Sequence, residues 1–163
     1  MLKIGFSKDV HPLAEGRPFI LGGIPIDHYK GPVGHSDADC LLHAIAESML
    51  GAMALGDLGK FFPETDPKYK NYDSSLIVIE VFNYIESKGY IVKNLDCMVS
   101  LEKPKLRPYV DEMRKRIAGL LKMDMANVSV KATTYEGLGI VGEEKAIICE
   151  AIVLLESEDI FML

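Results

Sequence analysis

The segment from Ala146 to Leu155 constrains the fold most strongly, because Glu150 is its only charged residue and the others are apolar. An apolar run of this length predicts a central β-strand. Shorter segments with strand-like patterns surround it in the sequence. They are an opening strand over 1–6, a hairpin over 19–26 with a Gly-Gly turn, a strand within 90–101, and an alternating, half-buried strand over 128–133.

Three stretches with helical periodicity lie between these strands. The first follows Ser36-Asp37-Ala38-Asp39, whose spacing is typical of a capping box, and ends near Gly56. The second begins after Asp73 and ends at Gly89, and the third has Pro108 in its first turn. Strands that alternate with helices predict an α/β (α+β layered) fold, with a β-sheet whose helices pack on one face. The long aperiodic segment between Gly56 and Asp73 is typical of an active-site loop.

The length and composition predict one domain. The 163 residues contain no internal repeat and no linker-like segment, so we expect a single domain over 1–156 and a charged tail over 157–163. The N-terminus has no apolar signal-like region, and no stretch approaches the roughly 18 apolar residues of a membrane span. The net charge of −6 disfavours nucleic acid and anionic membranes as partners.

The cysteines indicate the compartment. Cys40, Cys97 and Cys149 are widely spaced and odd in number, and they form no C-x-x-C motif. This pattern predicts three reduced, partly buried thiols and a cytoplasmic protein.

A possible metal site begins with Asp9 and His11. Side chains at i and i+2 of an extended chain point the same way, so this carboxylate and imidazole can converge on one point. His43 on the first helix would add a third ligand, and three ligands with one open position are typical of catalytic zinc. A solvated turn at Asp9 and an ordinary core histidine at position 43 are the alternative, and spacing alone leaves both open.

His35 and Ser36 could bind phosphate. They precede a helix N-terminus, where backbone N–H groups attract anions. Ser36 could equally cap the helix with Asp39 returning the capping-box hydrogen bond, which leaves His35 unexplained.

A second candidate phosphate site lies at the end of the strand over 128–133. Thr133 and Thr134 offer hydroxyls, their turn offers free backbone amides, and Glu136 could hold Mg²⁺ against phosphate oxygens. A purely structural turn is the alternative. The basic segment over 103–108 is either a solvated loop or the rim of a phosphate or nucleotide site.

Taken in order, these segments resemble the 2-C-methyl-D-erythritol 2,4-cyclodiphosphate synthase family. The matching motifs are Asp9-Val10-His11, Gly34 to Asp39, His43, Leu55 to Pro67, Pro104-Lys105 and Val130 to Glu136. The ordered set extends from Asp9 to about Leu155 with nearly constant spacing, and this order makes it specific.

The resemblance implies an intramolecular phosphoryl transfer. The substrate would be 4-diphosphocytidyl-2-C-methyl-D-erythritol 2-phosphate, which closes to the 2,4-cyclodiphosphate with release of CMP. Asp9, His11 and His43 would hold one Zn²⁺ per chain, and Glu136 would hold a second divalent cation, Mg²⁺ or Mn²⁺. His35 and Thr134 would be catalytic. The family forms homotrimers whose active sites lie between subunits.

The family's substrate contacts fall on three segments besides the metal and phosphate residues. Asp57 and the backbone of Gly59 would hold the erythritol hydroxyls, 62–66 would form part of the pocket, and 101–107 would surround cytosine. The implied substrate-binding residues are Asp9, His11, His35, Ser36, Asp57, Leu58, Gly59, Phe62, Pro63, Glu64, Thr65, Asp66, Leu101, Pro104, Lys105, Leu106, Arg107, Thr133, Thr134, Tyr135 and Glu136.

Two other functions fit a zinc and phosphate site. One is a non-catalytic trimeric module that binds zinc and nucleotides, and the other is a zinc phosphohydrolase. The three-ligand set disfavours the first, because structural zinc is usually four-coordinate. At the trimer axis, Ile140 and Glu143 stand where some family members carry an aromatic residue and an arginine, so we expect that isoprenoid diphosphates do not bind there.

Overall fold

The structure, a computed structural model, describes residues 1–157. Its strands are β1 (Leu2–Glu15), β2 (Ile20–Leu21), β3 (Ile24–Pro25), β4 (Lys30–Pro32), β5 (Tyr90–Ser100), β6 (Val128–Thr133) and β7 (Ala146–Ser157). Five of them form one sheet in the order β4-β1-β7-β5-β6, while β2 and β3 pair as a hairpin. The apolar segment that begins at Ala146 is therefore the central strand, as predicted.

The sheet is mixed. β1 runs antiparallel to β7, from Leu2 opposite Glu156 to Pro12 opposite Ala146. β5 is antiparallel to β7 and parallel to β6. Helices connect the strands: α1 (Cys40–Ala52), α2 (Leu58–Phe61), α3 (Ser74–Ser87), α4 (Val110–Leu120) and α5 (Gly139–Gly142). Among the helices of residues 1–157, none combines the length and the apolar character that crossing a bilayer requires.

Helices cover one face of the sheet, as the alternation of strands and helices predicts. Ile147 and Val153 on β7 are fully buried, whereas Ile152, which points to the other face, is 49% exposed. α1 packs on β1 and β7, α3 packs on β5, and α4 packs on β6. The opposite face of the sheet remains open and partly apolar within this chain.

Gly5 on β1 allows α1 to approach the sheet closely. A Cβ atom at this position would lie 1.8 Å from the carbonyl oxygen of Ser48, so a larger residue would push the helix away. Because α1 carries His43 and β1 carries Asp9 and His11, this close contact between helix and strand brings the predicted metal ligands together.

β1 is longer than the sequence predicts. It continues past Phe6 to Glu15, so Asp9 and His11 lie within the strand and not after it. Pairing with β7 extends as far as Pro12 and satisfies the backbone of this mixed polar segment. Such a partner strand is distant in sequence, so the local pattern did not indicate the full length.

The helix boundaries also differ from the prediction. Asp39, and not Ser36, is the N-cap of α1, and the helix ends at Ala52, before Gly56. The segment predicted to be an aperiodic loop contains α2 and a 3₁₀ turn over Pro67–Tyr69. The short elements β4 and α5 were not predicted.

The chain end and the cysteines complete the comparison. The predicted tail overlaps the described residues only at Ser157, which pairs with Tyr90 at the end of β7, and residues 158–163 lie outside them. Cys40, Cys97 and Cys149 are buried thiols, as predicted. Burial raises the pKa of each thiol above its ordinary value, so these cysteines are poor nucleophiles.

Candidate active site

Asp9, His11 and His43 converge at one point between β1 and α1. Asp9 Oδ2 lies 2.9 Å from His11 Nε2 and 3.3 Å from His43 Nδ1. The two ring nitrogens are 3.2 Å apart. The three side chains are mostly buried but retain an exposed fraction of 14 to 27%, so the cluster is open to a ligand. The predicted convergence is therefore confirmed.

The hydrogen-bond partners fix the tautomer of His11. Its Nδ1 lies 2.8 Å from the carbonyl oxygen of Val33, which can only accept, so Nδ1 carries the hydrogen and Nε2 faces Asp9 as a bare lone pair. The loop packs tightly against this ring, because a Cβ atom at Gly34 would lie 2.9 Å from His11 Cε1. The ring is therefore held with its free nitrogen toward the cluster.

Three electron-pair donors face one another in this cluster. Asp9 Oδ2 is buried, and neutral His11, whose hydrogen is on Nδ1, donates no hydrogen bond to it. Burial raises the pKa of Asp9, but hydrogen bonds and charge from His11 and His43 outweigh it and hold the pKa well below its ordinary range. Burial lowers the pKa of His11, but Asp9 outweighs it and the pKa is raised. Both shifts favour positive charge beside the Asp9 carboxylate.

The donor set suits a divalent metal ion. Among the described residues, one carboxylate oxygen and two imidazole nitrogens lie close enough together to bind a single ion. Zn²⁺ accepts these ligand types, and a three-residue set leaves an open coordination position. The buried carboxylate oxygen of Asp9 and the lone pair of His11 Nε2 fit such an ion.

The start of α1 is held by Asp39. This fully buried carboxylate accepts hydrogen bonds from the N–H groups of Leu42, Gly22 and Gly23. Burial raises the pKa of Asp39 to about 6 although the backbone hydrogen bonds lower it. The cap therefore connects the β2–β3 hairpin to the helix that carries His43.

His35 and Ser36 lie next to the cluster. Ser36 accepts a hydrogen bond from the N–H of Ala38, and its Oγ lies 3.1 Å from His43 Nε2. His35 Nε2 lies 3.4 Å from the carbonyl oxygen of Asp66. The structure thus places Ser36 against His43, while His35, its neighbour in sequence, contacts the loop that contains Asp66.

The predicted erythritol-binding loop borders the same region. Asp57 is the N-cap of α2, with Oδ1 accepting from Lys60 N. The N–H of Leu58 donates to Glu47 Oε1 over 3.1 Å, and Glu47 lies one turn after His43. The remaining predicted residues of this loop, Gly59, Phe62, Pro63, Glu64 and Thr65, are partly or fully exposed.

A cleft of about 570 Å³ contains the predicted nucleotide residues. Its lining includes Leu101, Pro104, Lys105, Leu106, Arg107, Thr133 and Thr134. A cleft of about 690 Å³ between α3 and α4 contains none of the predicted site residues. The sequence prediction therefore selects a cleft that size alone would not.

The turn after β6 is only partly as predicted. Thr134 Oγ1 donates to Glu136 Oε1 over 3.1 Å, so hydroxyl and carboxylate do meet. The predicted free amides are occupied, however, because Tyr135 N and Gly137 N donate to the carboxylate of Glu102. Glu136 has a positive φ of 53°, which turns these N–H groups toward Glu102.

The site has two halves, the Asp9 cluster and the turn after β6 with its neighbouring cleft, and they are far apart within one chain. Asp9 on β1 is aligned with Cys149 on β7, then with Val99 on β5 and Ala132 on β6. Three strand spacings separate Asp9 from Ala132, a distance of roughly 14 Å. Thr134 and Glu136 follow β6, so they lie at the opposite edge of the sheet from the Asp9 cluster.

Sequence reasoning missed three contributors. Glu47 accepts a hydrogen bond from the first residue of α2, and Ser74 contacts His43. Glu102 accepts a hydrogen bond from the backbone N–H of Tyr135 in the turn after β6. Glu47 had a signal, since it is a charged residue four positions after His43 on a largely apolar helix. Ser74 and Glu102 reach partners more than thirty residues away, which no local pattern shows.

Comparison with known proteins gives a consistent set of relatives. A family model described as the YgbB family matches residues 2–156. A curated 2-C-methyl-D-erythritol 2,4-cyclodiphosphate synthase from Bacillus mycoides (strain KBAB4) is 51% identical over 158 residues, which is 97% of this chain and 100% of that protein.

Solved structures agree with this. The bifunctional IspDF of Campylobacter jejuni has a TM-score of 0.93 at 34% identity, covering 98% of this chain and 43% of that chain. The IspF of Plasmodium falciparum, solved as a CDP complex, has a TM-score of 0.85 at 32% identity, covering 97% of each chain.

Proposed function

The chain belongs to the YgbB family, and from this membership and the Asp9 cluster we propose that it is a 2-C-methyl-D-erythritol 2,4-cyclodiphosphate synthase. Its substrate is 4-diphosphocytidyl-2-C-methyl-D-erythritol 2-phosphate. An oxygen of the 2-phosphate attacks the β-phosphorus, and the bond from that phosphorus to the bridging oxygen of the α-phosphate breaks. The products are the cyclic diphosphate and CMP, so the reaction is that of a phosphorus–oxygen lyase.

The proposed metal ligands are Asp9, His11 and His43 for one Zn²⁺, and Glu136 for a second divalent cation, Mg²⁺ or Mn²⁺. The bound ions supply positive charge to phosphate oxygens, which favours attack and departure of the leaving group. The orphaned Oδ2 of Asp9 and the fixed lone pair of His11 Nε2 support the first assignment, and His43 completes the three-residue set. The Thr134 hydroxyl, which donates to Glu136, supports the second by orienting the carboxylate.

The chain's other residues position the substrate. No protein nucleophile is required, so the rate enhancement comes from orientation and charge neutralisation. We assign His35 and Thr134 to the reacting phosphates, with Ser36 and Thr133 beside them. The contact of Ser36 with His43 supports this role.

The remaining substrate contacts follow the two halves of the site. Asp57 to Gly59 and Phe62 to Asp66 take the erythritol end, and Tyr135 adjoins the phosphates. The cleft lined by 101–107 takes cytidine, and the CDP held by the Plasmodium falciparum relative supports this assignment.

We propose that the active enzyme is a homotrimer with sites shared between subunits. The open face of the sheet supports this, because Ile4 is 71% exposed, Phe6 58% and Ile152 49%. Apolar residues in such a patch mark a protein interface. The separation of roughly 14 Å between Asp9 and Ala132 further supports a site completed by a neighbouring chain.

The protein's location follows from the same family assignment. We propose that it works in the cytoplasm, which its three buried thiols support, since thiols persist in a reducing compartment.

The convergence of the Asp9 carboxylate with the imidazoles of His11 and His43, in contact with Ser36, is the observation that carries the proposal. Incubation with the cytidylyl substrate tests it, with CMP followed by chromatography and the cyclic product by phosphorus NMR. We expect equal amounts of both products. Release of phosphate or CMP without cyclic product would indicate a phosphohydrolase, and no turnover with tight nucleotide binding would indicate a binding module.

A further inference from the structure

His43 contacts a second group of residues on the side of its ring that faces away from Asp9. Nδ1 points into the cluster, 3.3 Å from Asp9 Oδ2, while Nε2 lies 2.8 Å from the hydroxyl oxygen of Ser74. An imidazole can present either nitrogen to a metal, and its other hydrogen bond decides which one. The contact with Ser74 therefore determines whether His43 can act as a ligand.

The direction of this hydrogen bond follows from the neighbouring carboxylate. Ser74 Oγ lies 2.5 Å from Asp37 Oδ1, and a carboxylate can only accept, so the serine hydrogen points to Asp37. Ser74 Oγ must then accept from His43, which places a hydrogen on Nε2. Nδ1 is consequently a bare lone pair directed at Asp9 and His11.

Asp37 is held firmly enough to impose this direction. Its Oδ2 accepts the backbone N–H of Ser74 over 3.0 Å, and its Oδ1 also accepts the N–H of Asp39 over 3.1 Å. Ser74 is fully buried at the first position of α3. The series Asp37–Ser74–His43 thus joins the starts of two helices to the candidate metal ligand.

Ser36 is the other possible partner of His43 Nε2. Its Oγ lies 3.1 Å away and already accepts the N–H of Ala38. Ser74 Oγ is the closer of the two oxygens, and its own hydrogen is committed to the Asp37 carboxylate. Ser74 is therefore the stronger acceptor for the imidazole hydrogen of His43.

We propose that Ser74, oriented by Asp37, is a positioning residue that fixes His43 in the tautomer and ring orientation required for metal binding. The arrangement corresponds to a carboxylate–histidine–metal series with a hydroxyl inserted between carboxylate and ring. The inference rests on the metal site of the proposed function, and zinc binding by the unaltered protein tests that site separately.

Zinc affinity of Ser74→Ala, measured by competition with a chromophoric chelator, tests the role of Ser74. We expect affinity about 10- to 100-fold below that of the unaltered protein, the usual effect of losing such a partner. Ser75→Ala is the matched control, because Ser75 is also buried at the start of α3 but contacts Arg116 and not His43. Its affinity should stay within about twofold.

Asp37→Asn tests the carboxylate. The amide lacks the charge that commits the serine hydrogen, so we expect weaker zinc binding than in the unaltered protein. If Ser74→Ala lowers the midpoint of thermal unfolding but leaves zinc affinity unchanged, Ser74 is merely structural and the inference is wrong. If the unaltered protein itself fails to bind zinc, the metal site of the proposed function is wrong.

The tautomer can be determined without any variant. Long-range proton–nitrogen correlation NMR of the ¹⁵N-histidine-labelled, zinc-loaded protein distinguishes the two ring nitrogens of each histidine. We expect His43 to carry its hydrogen on Nε2 and to bind the metal through Nδ1. A hydrogen on Nδ1 would overturn the proposal even if the variants failed to fold.

Discussion

Ser7 donates its hydroxyl hydrogen to Glu47 Oε2 over 2.6 Å, and this hydrogen bond joins the strand that carries Asp9 to the helix that carries His43. Ser7 precedes Asp9 by two residues on one face of β1, and Glu47 follows His43 by one turn of α1. The pair therefore lies directly beside the metal ligands and holds the same two elements together. Glu47 Oε1 also accepts the N–H of Leu58, so it supports α2 as well.

Glu47→Ala should destabilise the protein by about 1 to 3 kcal/mol, because the nearly buried Ser7 hydroxyl and the N–H of Leu58 both lose their acceptor. Urea unfolding measures the free energy. The matched control is Glu86→Ala, whose carboxylate pairs with Lys122 at the exposed surface and should contribute less than about 1 kcal/mol. Equal stability losses in the two variants would contradict the role of Glu47.

Zinc should stabilise the protein more at high pH than at low pH. The net effect of Asp9 on His11 is a raised pKa, so without metal the protonated pair stabilises the fold below about pH 6.5, and this contribution is lost as the pH rises through the folded pKa. Zinc binds only neutral histidines, so protons compete with zinc for the two imidazoles. This competition weakens as the pH rises over the same range. The difference in unfolding temperature between zinc-loaded and zinc-free protein should therefore widen from about pH 6 to about pH 8.

Scanning calorimetry of both forms measures this difference. His43→Ala supplies the control, since loss of one of three ligands should abolish the zinc-dependent shift. The variant should still fold, because the buried face of α1 is formed by Leu41, Ile45 and Met49. A shift that does not change with pH would indicate a ligand set without histidine.

The convergence of Asp9, His11 and His43 could be predicted from sequence because two of these residues depend on strand geometry alone. Asp9 and His11 are two residues apart, and any extended backbone directs them to one side. The predicted convergence remained correct although the strand boundary was wrong, since the whole segment is extended. His43 was a weaker prediction, and close packing of α1 at Gly5 is what brings it to the pair.

Long-range contacts explain what the sequence did not reveal. Ser36 and Asp39 are both good N-cap residues, and Asp39 is used because its carboxylate also accepts from Gly22 and Gly23 on a distant hairpin. Local spacing contains no information about that hairpin. The same holds for the amides after Thr134, which were predicted to be free but are bound by Glu102 from the end of β5.

Phe6→Glu should dissociate the proposed trimer. The side chain is 58% exposed on the open face of the sheet, so a charge there opposes burial against a neighbouring chain while the isolated fold is unaffected. Analytical ultracentrifugation should show monomers, and activity should be lost. Tyr84→Glu, at a 41% exposed position on α3, is the control and should remain assembled. A fully active, unchanged assembly of the Phe6→Glu chain would contradict the proposal.

Mixed trimers should recover activity from two inactive chains. His43→Ala removes a metal ligand, and Lys105→Ala alters the nucleotide cleft at the other half of the site. If each site combines the two halves from different subunits, some sites in a mixture contain neither change. Unfolding and re-annealing the two variants together should therefore restore measurable CMP release, whereas each variant treated alone should stay inactive. A wholly inactive mixture that assembles normally would show that sites are not shared.

Farnesyl diphosphate should not bind at the proposed three-fold axis. Ile140 and Glu143 occupy the positions where the family resemblance would place an aromatic residue and an arginine, and Ile140 is 51% exposed. A three-fold axis repeats each residue three times, so three carboxylates would face the diphosphate, repel its charge and offer it no N–H donor. The ammonium group of Lys145 pairs with Glu143, which offsets part of this repulsion but leaves no net positive charge for the diphosphate. Calorimetric titration at low salt should detect no binding to the unaltered protein, and Glu143→Arg should introduce it.

Glu143→Gln, which removes the charge without adding a cationic donor, is the matched control and should bind farnesyl diphosphate less tightly than Glu143→Arg. Micromolar binding by the unaltered protein that Glu143→Arg fails to strengthen would contradict this prediction.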